Sequence, residues 1–380
     1  MYKKIKKLSL FMVILFSMFL ILTTSGYAIN SGNSDFKIIS ESISVDLKDY
    51  AIKELPKHIQ NVMVEPKQYG FEGYDIQNFK LAEPFSVYKE DLAKVCYFPV
   101  TSNNKIVAVL GVSENSEKGY TSTFEKGFAS KLQAMVENEH SEFRIVNNNN
   151  ELRAVSPTKS IVLAKTYTDT NANQENKSKF NINGLTKNID ASNEKIINSN
   201  KIVTPLNEYN KINDNSYKAT SKTSNSLPIN IVLQGEHPWC WAATCASIIN
   251  YEKGTHLEAA ELVKFAYGEE IEKGGSWKQM KMVYNNWGLY PRQTVTVPYE
   301  EVKSIIDGGH PIHLGMLSNN GAHSMTLRGY NENSDGSKSY SLIDPNKDYY
   351  VSVNAETRSN QVCYILNGDS YYWSFSRLDF

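Results

Sequence analysis

From Leu233 to Gly254 the chain runs Leu-Gln-Gly-Glu-His-Pro-Trp-Cys-Trp-Ala-Ala-Thr and on into an apolar helix, and no other stretch restricts its fold as much. Ala242, Cys245, Ala246, Ile248 and Ile249 recur at three- and four-residue spacing, and Gly254 is a natural stop. Cys240 therefore falls at a helix N-terminus, where unpaired N–H groups and the helix dipole favour a thiolate. Gln234 lies six positions upstream. That gap lets a loop fold back so that its side-chain amide and the Cys240 backbone N–H point at one oxygen. A thiolate with two converging donors is equipped for acyl transfer.

Such a nucleophile needs a histidine to exchange a proton with, and a third group to orient the imidazole. His237 is too close to Cys240 in sequence to face it across a cleft, and His256 falls in a helix first turn. His310 sits in a Gly-Gly-His-Pro turn, and His313 alternates within an apolar strand, which suits a core or surface role. His323 follows the turn Asn319-Asn320-Gly321-Ala322 and opens a strand, which places it at a sheet end. It is the first candidate, with His313 next. The third group is expected from the following strand, where Ser341-Leu342-Ile343-Asp344-Pro345-Asn346 ends at a proline turn. Asp344 is the first candidate and Asn346 the alternative.

A Gln, five residues, Cys-Trp-Ala-Ala and then a helix resemble the papain superfamily (clan CA) of cysteine peptidases. The likeness is to its bacterial branches: the C39-like peptidases, the papain-fold effector proteases of plant pathogens and, more loosely, the staphopains. It covers roughly residues 227–380. The resemblance implies a helical lobe followed by an antiparallel β lobe, and peptide-bond hydrolysis through a thioester without a cofactor. It implies Cys240 as nucleophile, His323 as base and Gln234 in the oxyanion hole. Gly321-Ala322-His323-Ser324-Met325 is similar to the family's histidine motif. In the C39-like and effector-type relatives an Asp-Pro occupies the third place, as Asp344-Pro345 does here, whereas papain uses Asn.

The N-terminus carries a basic segment from Lys3 to Lys7, an apolar run from Leu8 to Leu22 and small residues around Ala28. That is a signal peptide, shorter in its apolar part than the roughly 20 residues a spanning helix needs, so a secreted protein cleaved near Ala28 is expected, without stable membrane insertion. With 380 residues, about two domains follow. A net charge of -1 gives no reason to expect a nucleic-acid partner. No Cys-x-x-Cys or His-x-x-x-His spacing suggests a metal. Among Cys96, Cys240, Cys245 and Cys363, a nucleophilic Cys240 leaves Cys245 and Cys363 as the candidate bridge within the C-terminal part.

The expected order is a signal peptide over 1–28, a small α+β prodomain over 29–165, an Asn-rich flexible linker over 166–226 and a catalytic domain over 227–380, an α+β chain throughout. In the prodomain the spacing predicts helices over 45–64 and 124–136 and strands over 95–100, 106–112 and 144–146, with His58 and His140 at the surface. About a quarter of residues 166–226 are Asn, with few large apolar groups, too little to offset the ordering entropy. The catalytic part is expected to begin with a strand over 227–233. Capping boxes open helices at Thr255 and Ser276, a further helix spans 299–307, and strands follow over 312–317, 323–330, 339–343, 349–353 and 371–375. These features imply a secreted cysteine endopeptidase made as a zymogen, acting on proteins or peptides and inhibited by its own prodomain. A cell-wall peptidoglycan amidase and a catalytically degenerate binding protein are the alternatives.

Overall fold

The computed structural model describes residues 36–89, 94–115, 119–148, 150–167, 191–206, 221–355 and 362–380, so the signal-peptide segment and most of the Asn-rich stretch lie outside the described residues. The N-terminal half begins with β1 (Lys37–Glu41) and α1 (Val45–Met63), followed by the short strands β2 (Lys80–Leu81) and β3 (Phe85–Ser86). A meander of β4 (Val95–Ser102), β5 (Lys105–Asn115) and β6 (Gly119–Glu125) leads into α2 (Ala129–Asn138). Then come β7 (Glu142–Asn148), β8 (Glu151–Val155), β9 (Ser160–Lys165), β10 (Glu194–Asn198) and α3 (Ser199–Val203).

The C-terminal half opens with β11 (Ser221–Ser226) and the helices α4 (Cys240–Lys253), α5 (Ala259–Tyr267) and α6 (Trp277–Asn286). After β12 (Arg292–Thr294) and α7 (Tyr299–Asp307) the chain forms β13 (Ile312–Ser318), β14 (Gly321–Asn333), β15 (Lys338–Ile343), β16 (Tyr350–Asn354), β17 (Cys363–Leu366) and β18 (Asp369–Leu378). Helices precede an antiparallel sheet, as expected, and the whole is a mixed α+β fold with large, mainly antiparallel sheets.

The two halves share a sheet. Its strands run β12-β18-β13-β14-β15-β16-β6-β5-β4-β2, with Ser352 opposite Phe124 and Val353 opposite Thr123 at the junction. A second sheet, β10-β1-β7-β8-β9, lies within the N-terminal half and the segment after it. One hydrophobic core joins Leu55, Ile59 and Phe124 of the first half to Leu342, Val351 and Tyr364 of the second. Helix α1 is the main bridge. Ser44 caps it by accepting from the Leu47 N–H, and Leu47, Ile52, Leu55, Ile59 and Val62 bury one face as their spacing predicts. The same face carries polar groups that reach the second half: Asn61 Nδ2 donates to Ser352 Oγ at 2.8 Å, and Asn354 Nδ2 donates to Glu54 Oε2 at 2.8 Å.

Several local expectations change under this arrangement. His58 is buried between Ser122 and Ser352 rather than exposed, since α1 lies across the junction of the halves. Phe124 lies in strand β6, because pairing with β5 outweighs the helical spacing that starts only past Gly127, whose φ is +49°. Residues 227–233 form no strand; Leu227 N–H donates to the Arg328 carbonyl and Val232 N–H to Ser247 Oγ, while β11 pairs with β14 instead. Residues 194–198, polar enough to read as linker, pair with β1 and bury Ile197. Thr255 bonds back to Asn250, so α5 is capped three residues later by Glu258 with Glu261. All four cysteines are free and buried. No Cys245–Cys363 bridge forms, because Cys245 packs among the helices and Cys363 in the core beneath the second sheet.

Candidate active site

Helix α4 starts at Cys240, as the apolar spacing predicts, and ends at Gly254 with φ +65°. Trp239 at the N-cap offers no side-chain cap, so the first-turn N–H groups remain directed at the space before the helix. Two neighbours fix this turn. Trp239 Nε1 donates to the Ile271 carbonyl at 2.8 Å while its ring stacks on His237 at 3.9 Å. Gly275 packs so close to the Trp241 ring that a Cβ there would overlap it. Cys240 itself is only 8 % exposed.

His323 sits near the start of β14, and Asp344 follows directly after β15. Thr326 pairs with Ile343 across these two strands, so the histidine and the carboxylate reach the same end of the sheet. The His323 Nε2–Asp344 Oδ1 distance is 2.8 Å, with both side chains fully buried. His323 Nδ1 has no hydrogen-bond partner among the described residues, and the Cys240 thiol lies near enough to act on the ring. Burial pushes the imidazole toward its neutral form, but the Asp344 carboxylate and the Cys240 sulfur outweigh it and raise its pKa to about 10. Burial likewise works against the Asp344 carboxylate, yet His323, the Asn346 N–H and Tyr364 hold its pKa below the ordinary value. Asn346, the alternative third member, is a neighbour: its N–H donates to Asp344 Oδ1 at 2.9 Å, and its side-chain nitrogen is 3.5 Å from His323 Nε2.

The other histidines stand apart from this pair. His313 Nδ1 is 2.9 Å from the Tyr284 hydroxyl in the core between α6 and β13, where burial pushes its pKa well below the usual value. His237 pairs with Glu272 and His310 with Glu252.

Gln234 is 1 % exposed and tied to the same corner, since its backbone N–H donates to the Pro345 carbonyl at 2.9 Å. Its side-chain nitrogen donates to the carbonyl oxygens of His237 at 2.6 Å and Tyr167 at 2.8 Å. Tyr167 comes from the N-terminal half. Strand β9 delivers it, and Thr166 is anchored by its N–H to the Asn150 carbonyl at 2.7 Å and by its hydroxyl, which accepts from Asn367 Nδ2 at 2.7 Å. The spacing of residues gave no signal for this contact, because it joins segments 67 positions apart. Among the described residues no group of three or more His, Cys, Asp or Glu side chains is placed to hold a metal.

A buried His–Asp pair beside a helix-start cysteine is the equipment of a thiol hydrolase, and the chain is a cysteine-type peptidase whose residues 221–360 match a known family. The family whose model these residues match is described as the papain-like cysteine protease AvrRpt2. No curated protein matches the chain by sequence. Two solved structures similar to it are a putative C39-like peptidase from Bacillus anthracis and the proform of Amb a 11, a cysteine protease and major ragweed pollen allergen. The first is 13 % identical, covering 42 % of this chain and 99 % of that one at a TM-score of 0.29. The second is 12 % identical, covering 44 % of this chain and 68 % of that one at a TM-score of 0.31.

Proposed function

We propose that the chain is a secreted cysteine endopeptidase made as a zymogen, cleaving proteins through Cys240, His323 and Asp344 with Gln234 in the oxyanion hole. The Cys240 thiolate attacks the scissile carbonyl carbon, and the oxyanion is held by the Cys240 N–H and the Gln234 amide. As the C–N bond breaks, His323 gives its proton to the leaving amine, and a thioester forms on Cys240. His323 then takes a proton from water, which hydrolyses the thioester and frees the thiol. Asp344 keeps the imidazole turned so that Nδ1 serves the sulfur. The leader over residues 1–28 supports export, with cleavage near Ala28.

The observation that carries the latent form is the carbonyl of Tyr167 on the Gln234 amide. A backbone acceptor from the N-terminal half takes the donor that a substrate's oxyanion needs, and as part of the same chain it acts at high effective concentration. A cut between Lys201 and Ser226 separates that half from the catalytic strands and lets the segment withdraw. Purified secreted protein incubated with casein and a reducing agent is expected to digest it, with Cys240→Ala inactive. Activity in Cys240→Ala rejects the reading. N-terminal sequencing of the active species is expected to find a new start within 201–226; a single intact chain beginning near Ile29 rejects the zymogen.

A second reading, in which the N-terminal half stays bound after the cut, is favoured by one buried contact. Arg328 on β14 has a fully buried guanidinium whose Nη2 donates to Glu65 Oε2, just past α1, at 2.7 Å. Loss of the half strands that charge. Gel filtration of the cut protein distinguishes the two: co-elution of both fragments supports retention.

A further inference from the structure

Asp344 has two carboxylate oxygens, and only one faces the histidine. Oδ1 receives His323 Nε2 and the Asn346 N–H. Oδ2 accepts from the Tyr364 hydroxyl at 2.7 Å, in surroundings without solvent exposure. Tyr364 lies on β17, beyond residue 360 where the family match ends. We propose that Tyr364 is a positioning residue of the catalytic set, fixing the Asp344 carboxylate so that Oδ1 remains on His323. This rests on the reading of Cys240, His323 and Asp344 given above.

The physical argument is one of rotation and satisfaction. A buried carboxylate with one idle oxygen turns to share its donors, and its bond to the imidazole lengthens. With Oδ2 held, the plane of the carboxylate is set by both ends. Tyr364 is itself immobile. Its residue pairs with Tyr371 on β18, whose ring packs edge-on to His323 at 6.1 Å. The next residue along β17 is clamped from the other side: Ile365 N–H donates to Thr123 Oγ1 on β6 at 3.0 Å. The N-terminal half therefore holds the strand that holds the carboxylate. In the precursor it supports the carboxylate as well as occupying Gln234.

The charged and titratable groups around Asp344 are His323 on β14, with Cys240 beyond it, and Tyr349, Tyr364 and Tyr371 from the surrounding strands. Lys347, three residues on, pairs with Glu125 while its ammonium lies 5.6 Å from the centre of the Tyr364 ring. Weakening the Asp344–His323 bond withdraws support from the imidazolium, so the alkaline limb of kcat/KM moves to lower pH.

The test uses the full chain, matured as it is secreted, on a fluorogenic peptide across pH. Tyr364→Phe is expected to lower kcat about tenfold with KM within about twofold, and to move the alkaline limb to lower pH. In an Asp344→Asn background the same change is expected to cost less than about twofold, because its effect passes through the carboxylate. Tyr350→Phe, which removes a buried hydroxyl that donates to the Ile229 carbonyl, serves as the control and leaves the limb in place. An unmoved limb, or an undiminished effect in the Asp344→Asn background, overturns the proposal. Should Tyr364→Phe not fold, Val362→Ala thins the buried packing just ahead of the same strand and is expected to shift the limb in the same direction; no shift overturns the proposal equally. A fully active Asp344→Asn with an unmoved limb rejects the underlying triad instead.

Discussion

The side-chain amide of Gln234 donates to the backbone carbonyl of Tyr167 at 2.8 Å, so in the proposed zymogen one donor serves latency in the precursor and oxyanion binding in the active form. A peptidyl epoxide is expected to alkylate Cys240 at least about tenfold more slowly in the uncut precursor than in the matured protein, since the inhibitor competes with a tethered occupant. Labelling rates followed by intact mass spectrometry check this. Equal rates mean that Tyr167 does not guard the site. In the matured protein Gln234→Ala is expected to lower kcat by about 10²–10³.

His323 bonds to Asp344 and His313 to Tyr284, so the two histidines are expected to respond differently to substitution. His323→Ala is expected to cost at least about 10³ in kcat, as loss of a proton carrier does. His313→Gln is expected to keep kcat within about threefold but to destabilise the fold by about 1–3 kcal/mol, because it disturbs a buried bond to Tyr284. Steady-state kinetics and urea denaturation on the same two proteins separate chemistry from packing. A large loss of kcat in His313→Gln reverses the assignment of the base.

Acid is expected to loosen the junction between the halves through His58. Burial, aided by the charge of Lys57, lowers its pKa from 6.5 to about 3 in the folded protein. Between those values the unfolded chain binds the proton and the folded one does not, so stability is complete above pH 6.5 and declines as pH falls toward 3. The decline attributable to this residue is about 2 kcal/mol at pH 5. Urea midpoints at pH 7 and pH 5 are expected to fall further in the wild type than in His58→Gln; parallel slopes exclude His58 as the sensor.

Glu65→Ala is expected to destabilise the protein by about 3 kcal/mol, because the buried Arg328 guanidinium keeps its bonds to Leu227 and Ser341 but loses its countercharge. Arg328→Met, which removes the charge along with its desolvation cost, is expected to be the milder change. Thermal unfolding of both variants checks the order. Equal or reversed losses show that the pair contributes little.

The order of elements in the C-terminal half was legible because it depends on local chemistry. Cys240 through Gly254 announces its helix, Ser276 caps the next with Gln279, and the strands carrying His323 and preceding Asp344 alternate or run apolar as strands do. What pairs across distance was not legible. Ser221–Ser226 is polar throughout and becomes a strand only because β14 offers it an edge. His58 looks like any helix-surface histidine until Ser122 and Ser352 arrive from elsewhere in the chain. Tyr364 follows a polar stretch and carries no motif; only the folded register of β17 against β18 brings its hydroxyl to Asp344.

The junction Ser352–Phe124 and Val353–Thr123 has a practical consequence for anyone preparing the catalytic half by itself. Strand β16, Tyr350-Val351-Ser352-Val353-Asn354, is buried along its whole length in the intact fold. Produced from residue 221 onward, it becomes an open, β-branched border without lysine, proline or bulge to discourage a visiting strand. A recombinant fragment is therefore expected to self-associate through that border unless the N-terminal half is supplied to cover it.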